Sequence, residues 1–183
     1  EVASPPVVDG QLRADEWASA AKLSGFVKHD DATPGGHATD AYVARDASML
    51  YIGIACHDQP QPKAVERARD GAVWEDDCVE VFLRPPGADT YYHIAVNAAG
   101  SRFEARCPGS DASWNPEWQA KAGRIEGGWA VEMAIPWAAL QAKPGGVWRV
   151  NFGREDTETK QATCWSPTFG GFHVPARFGE MVF

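Results

Sequence analysis

An all-β chain folded as an antiparallel β-sandwich, jelly-roll or immunoglobulin-like, is what the 183 residues predict. Three observations carry that prediction. Apolar residues recur mostly with a period of two, the segments so patterned are short and rich in β-branched and aromatic residues, and Gly, Pro, Asn and Asp cluster between them. Many strands at near-regular spacing with turn-rich links favour a sandwich or barrel over alternating strands and helices. A chain of this length buries about two-thirds of the surface it would expose unfolded, so its core needs no metal or disulfide as a precondition. No linker, repeat or low-complexity tract divides it, and residues 1–183 read as one domain.

Taken in order, ADEWASAAKL (14–23) reads as a short amphipathic helix that buries Trp17. LYIGIAC (50–56), VEVFL (79–83), YYHIAV (91–96), GWAVEMAI (128–135) and WRVNFG (148–153) read as strands separated by turns such as RPPGAD, NAAGS, EGG and KPGG. PWAALQ (136–141) reads as one helical turn started by Pro136. Alternation sorts the strand faces. Trp129, Val131, Met133 and Ile135 share a core face with Glu132 opposite; Trp148, Val150 and Phe152 oppose Arg149, Asn151 and Gly153; Val79, Val81 and Leu83 oppose Cys78, Glu80 and Phe82.

The formal net charge of −8 argues against nucleic acid and anionic membrane surfaces as partners, because both select a basic patch. No apolar run approaches the roughly 20 residues that span a bilayer, so the chain is expected to be soluble. The start EVASPPVVDG has no charged or apolar leader region, and Glu1-Val2-Ala3-Ser4 is what signal removal or excision from a larger enzyme leaves; a secreted or periplasmic location is expected. Cys56, Cys78, Cys107 and Cys164 form no C-x-x-C pair, which sets zinc aside. An even number permits two bridges in any of three pairings, while free buried thiols are equally natural.

Eight tryptophans exceed what the core of such a domain needs. Trp129, Trp148 and Trp17 are assigned to packing, whereas Trp74, Trp114, Trp118 and Trp165 sit beside turn residues and polar groups. Aromatics on loops beside acids and amides suit a sugar: the apolar C–H face of a pyranose stacks on an indole, and its rim of hydroxyls calls for carboxylate and amide partners.

These residues carry a resemblance. PVVDGQLRADEWASA, YVARDASMLYIGIACHD, VWEDDCVEVFLRP, YHIAVNAAG, GGWAVEMAIPWAAL, WRVNFGRED and CWSPTFGGFHVPARFGEMVF, in that order, resemble the family 9 carbohydrate-binding modules and, more distantly, DOMON-type sandwiches. The resemblance implies a non-catalytic module, often attached to a xylanase or another glycoside hydrolase and directed at plant glycans such as xylan or cellulose. It implies a terminal sugar held between two tryptophan walls, here Trp74 and Trp165, with Glu80 accepting hydroxyl hydrogen bonds and Asn97 and Asn151 on amide positions. The chain departs from the pattern at Ala95, where binding members carry arginine. Either the ligand differs, or His93, which reads more readily as a structural group, supplies the polar contact, or the domain keeps the sandwich and has lost tight sugar binding. The resemblance also implies structural calcium, for which Asp58, Asp76 and Asp77 offer hard oxygen ligands.

Catalysis is not expected. Glu75, Asp76, Asp77, Glu80, Glu117 and Glu132 supply carboxyls but nothing in their spacing pairs them across a bond, and no nucleophile elbow, zinc helix or phosphate loop is present. The alternative readings are a haem-binding electron-transfer domain of DOMON type, with ligands among Met49, Met133, Met181 and five histidines, and an accessory domain of a glycoside hydrolase that has lost sugar binding. Haem is not expected, since no C-x-x-C-H attachment occurs.

Overall fold

Period-two patterning does build two packed sheets. The computed structural model describes residues 1–183 except residue 3, residues 58–60 and residue 112. Its strands are β1 (Ala21–Leu23), β2 (Val27–Lys28), β3 (Thr39–Arg45), β4 (Met49–His57), β5 (Cys78–Arg84), β6 (Tyr91–Asn97), β7 (Arg102–Cys107), β8 (Gln119–Ile125), β9 (Gly128–Pro136), β10 (Val147–Asp156), β11 (Gln161–Cys164) and β12 (Gly179–Val182). One sheet has the order β1-β3-β4-β9-β8, and the other β2-β11-β10-β5-β6-β7. Every pairing is antiparallel. Strand β10 is long enough to serve two neighbours on one side: β12 pairs with residues 147–150 and β11 with residues 153–156.

Between the sheets lies one apolar core. Val79, Val81 and Leu83 of β5, Ile94 and Val96 of β6, and Trp148, Val150 and Phe152 of β10 meet Ile52 and Ile54 of β4 and Trp129, Val131, Met133 and Ile135 of β9. These are the faces that alternation assigns. The opposite face of the seven-stranded sheet is not left to solvent, because Phe82, Tyr91, Ala95, Phe103, Cys164, Phe172 and Phe178 form a second buried cluster there. All four cysteines are buried and unpaired, so burial and not cross-linking holds their strands.

Neither expected helix forms. Residues 14–20 run as consecutive turns, and the helical pattern's end, Ala21–Leu23, becomes β1 at the sheet edge. The reason is tertiary. Trp17 is drawn over Gly53, where a side chain would strike the indole, and its Nε1–H donates to Glu132 at 2.9 Å. Ten residues are too few for helix propensity alone to resist such a contact. At the second site Pro136 ends β9, and residues 137–141 make turns that include Gln141 at φ 49°. The helical pieces found are single 3₁₀ turns, Val73–Glu75 and Pro175–Arg177, and both flank the candidate site described below.

Glu132 faces away from the core, as expected, yet it is fully buried. Its carboxylate accepts the N–H groups of Asp9 (3.0 Å) and Gly10 (2.7 Å) as well as the Trp17 indole, so it clamps the amino-terminal segment onto the five-stranded sheet. Removing it orphans three donors, each costing about 1–3 kcal/mol if left unpaired. Glu132→Ala is therefore predicted to lower the unfolding free energy by roughly 3 kcal/mol in urea denaturation, allowing for partial rehydration of the freed donors; a loss below about 1 kcal/mol would mean that the clamp does not hold the segment.

Candidate functional site

Three strands of the seven-stranded sheet present a row of outward side chains in fixed register. Gly153 of β10 lies opposite Glu80 of β5, Glu80 opposite Ala95 of β6, and Ala95 opposite Phe103 of β7. The next row is Asn151, Phe82, His93 and Ala105, and the row on the other side joins Glu155 to Cys78 and Asn97. Two small residues thus flank Glu80. Phe172 settles on bare Gly153, where an added Cβ would come within 3.0 Å of its ring, and Trp74 stands edge-on to Phe103 at 5.0 Å. A cavity of about 550 Å³ opens over Glu80 between them, well within the range that takes a small ligand.

The floor is polar and rigid. His93 Nε2 donates to Glu80 Oε2 at 2.5 Å, and both side chains are about 5% exposed. The imidazole lies flat on Phe82 at 4.6 Å, and His173 meets it edge-on at 4.8 Å while contacting the Tyr91 hydroxyl through Nδ1 at 2.9 Å. Burial of its inner face and the charge of His93 hold the His173 pKa below its ordinary value. Ser110, on the loop after β7, and Glu155 complete the lining. Burial, reinforced by the nearby charge of Glu80, pushes the Glu155 carboxyl up to about 8.

Trp74 is held in place by a charge network. Val73 is fully buried beneath the 3₁₀ turn, leaving the next residue, Trp74, 42% exposed at the cavity mouth. Arg67 forks onto Asp76 through Nε (2.7 Å) and Nη2 (3.0 Å) and reaches Glu75 through Nη1. The Arg67 hydrogen bonds hold Asp76 below the usual carboxylate range. Asn97 Nδ2 donates to Asp76 at 2.7 Å and to the Val65 carbonyl, while its Oδ1 accepts the N–H groups of Ala99 and Ser101. Asn97 therefore positions the tryptophan turn and has no hydrogen-bonding capacity left over.

The other expected residues sort in the same way. Asn151 is fully buried, donates to the Ser166 carbonyl and accepts the Ser166 and Phe152 N–H groups, which fixes the start of the loop carrying Phe172. Trp165 follows Cys164 in the alternation of β11 and so turns toward the inter-sheet core, edge-on to Phe152 at 6.3 Å and filling the space that Gly179 leaves. It is not among the residues that line the cavity. Of the calcium candidates, Asp58 lies outside the described residues. Asp76 is committed to Arg67 and Asn97, and Asp77 accepts the Lys63 and Thr157 N–H groups and the Thr157 hydroxyl, so neither fits a calcium ligand in this arrangement. Met133 is sealed in the core.

Reasoning from sequence alone did not single out Phe103, Phe172, His173 or Glu155 as site residues. Phe172 and His173 fall within the F-H-x-P motif, which was a usable signal; Glu155 carried none beyond its place at a strand end.

The sequence model of the family described as Carbohydrate family 9 binding domain-like matches residues 8–183. Endo-1,4-beta-xylanase A of Thermotoga neapolitana is 25% identical in an alignment that takes in 96% of this chain, and the chain spans 17% of that enzyme's length. Among solved structures, a putative carbohydrate-binding protein from Bacteroides uniformis ATCC 8492 is similar with a TM-score of 0.76 at 22% identity, over 91% of this chain and 87% of that one. A family 9 carbohydrate-binding module from Caldicellulosiruptor kristjanssonii in complex with cellotriose is similar with a TM-score of 0.69 at 21% identity, over 97% and 88% of the two chains. A family 9 carbohydrate-binding module from the same organism in complex with glucose gives 0.68 at 21% identity, over 97% and 90%.

Two stability predictions follow from these positions. Trp165→Ala should cost roughly 3 kcal/mol in urea unfolding, as emptying a packed aromatic site does, whereas Trp74→Ala should cost less than about 1 kcal/mol; equal losses would contradict the placement of the two indoles. For Glu155 the folded chain keeps a proton that the unfolded chain releases above its ordinary value of 4.5, so this group's contribution to stability falls as pH rises from there toward 8. Glu155→Gln should accordingly melt above the parent protein at pH 8, with the gap closing toward pH 5; a gap independent of pH would exclude a raised carboxyl.

Proposed function

The chain belongs to the carbohydrate family 9 binding domain-like family, and from that membership we propose that it is a non-catalytic module holding one terminal sugar residue in the cavity over Glu80. The observation that carries the reading is the pairing of a buried, hydrogen-bonded carboxylate floor with aromatic rings at its margins. Glu80 accepts sugar hydroxyls with its remaining lone pairs, oriented by His93. A charged acceptor makes stronger hydrogen bonds than a neutral one, about 1.5–3 kcal/mol each. Trp74 stacks on the C–H face of the ring. Trp74 and Phe172 sit at opposite ends of the row Gly153–Glu80–Ala95–Phe103, about 14 Å long at the usual strand spacing. Phe172, and not Trp165, bounds the cavity at the end away from Trp74.

Cello- and xylo-oligosaccharides are the first ligands to try, given the cellotriose and glucose complexes of similar family 9 modules and the xylanase relative. Attachment to a glycoside hydrolase, and export with it, belong to the same reading. Among the described residues no group of three or more His, Cys, Asp and Glu side chains is placed to hold a metal ion.

The second reading is a sandwich that has lost its ligand, favoured by the bare methyl of Ala95 beside Glu80. Isothermal titration with glucose, cellotriose, xylose and xylobiose separates the two. Binding is expected to weaken tenfold or more, about 1.4 kcal/mol, in Trp74→Ala, and to survive in folded Trp165→Ala. Heat from none of the sugars would leave the second reading standing.

A further inference from the structure

Resting on the sugar reading, we propose that the cavity selects an amino sugar, a pyranose carrying an ammonium group, over neutral and acidic sugars. The argument starts from charge. The ionisable groups lining the cavity are Glu80, Glu155, His93 and His173, and among the described lining residues there is no lysine or arginine. Arg154, next to Glu155 in sequence, lies on the other face by alternation and donates to the Ala38 carbonyl and the Thr39 hydroxyl. Arg67 is committed to Asp76 and Glu75. Ala95 adds only a methyl beside Glu80. A uronic acid entering this space would meet the Glu80 carboxylate and a Glu155 carboxyl that gains nothing from a second anion, with no lysine or arginine in the described lining to fork onto its own carboxylate.

Geometry supplies the complement. Glu80 pairs with Gly153, and Glu155 lies two residues further along β10 on the same face. The two carboxyl-bearing residues are thus diagonal neighbours on adjacent strands, about 7–8 Å apart and somewhat less between their Cβ atoms. That span admits one ammonium between the side-chain ends. Glu80 already has His93 as its donor, whereas the Glu155 carboxyl has no hydrogen bond or ion pair among the described residues. An uncompensated, desolvated carboxyl is costly, and a cation placed against it relieves the cost. Trp74, Phe103 and Phe172 bring ring faces and edges around the same space, and indole and phenyl faces attract cations. The net charge of −8 adds a long-range preference of the same sign.

Binding an ammonium should expel the proton that Glu155 otherwise keeps, which gives a readout no neutral sugar shares. The test is isothermal titration near pH 6.5, in two buffers of different ionisation enthalpy, with glucosamine, N-acetylglucosamine, glucose and glucuronate. Glucosamine is expected to bind about tenfold or more tightly than N-acetylglucosamine and glucuronate, with net proton release. In Glu155→Gln, a near-isostere of the protonated side chain whose folding is checked by circular dichroism, the glucosamine-to-glucose preference should fall toward unity and the proton release should vanish. Glucose and glucosamine binding alike, or glucuronate binding best, would overturn this inference and leave the sugar site intact. Binding of none of the four, with cellotriose and xylobiose equally silent, would overturn the sugar reading and this inference with it.

Discussion

Everything at the candidate site depends on two-residue alternation along β5, β6 and β10. Because Val79, Val81 and Leu83 must enter the inter-sheet core, Glu80 and Phe82 are forced outward. The same constraint on β6 turns His93 and Ala95 to that side, and on β10 it turns Gly153 and Glu155. A one-residue slip of β5 would bury Glu80 between the sheets against Ile and Trp side chains, an arrangement with no polar partner to offset desolvation. The sandwich core therefore fixes the register, and the register alone brings Glu80, His93 and Glu155 onto one surface.

Several of the buried polar side chains serve that surface indirectly. Asn97 with Asp76 and Arg67 fixes the turn that presents Trp74, Asn151 fixes the loop that brings Phe172 over Gly153, and Asp77 ties the segment at Lys63 to Thr157 on the far end of β10. Glu132 does the equivalent work on the opposite sheet. A buried amide or carboxylate whose hydrogen bonds are all satisfied within the chain rigidifies its surroundings. It has little capacity left for a ligand. The Glu155 carboxyl, by contrast, is partly buried with no side-chain partner among the described residues.

How much of this was legible in the sequence follows from the range of the forces involved. Strand positions and face assignments were readable because alternation is local, and Glu80 was turned away from the aliphatic row as the structure has it. The helix expected at residues 14–23 fails because Glu132 and Gly53, far away in the chain, capture Trp17. Trp165 beside a turn reads as a loop aromatic until Gly179 is seen to leave a hole for its ring. Asn97 and Asn151 occupy positions whose chemistry suits a sugar, and only their partners reveal that their hydrogen bonds are already made. Phe172 reaches the site by folding back over Gly153, a contact that no periodicity encodes.

The central claim is the location of the site: the outer face over Glu80, with Trp74 as its exposed wall. Proton–nitrogen correlation spectra of the indole groups test it most directly, since each tryptophan Nε1–H gives its own signal. On titration with cellotriose the Trp74 indole should shift progressively and saturate, while Trp165, packed beneath Gly179, and Trp17, bonded to Glu132, stay in place. A Trp74 signal that does not move while another indole titrates would place the sugar elsewhere on the molecule and contradict the account.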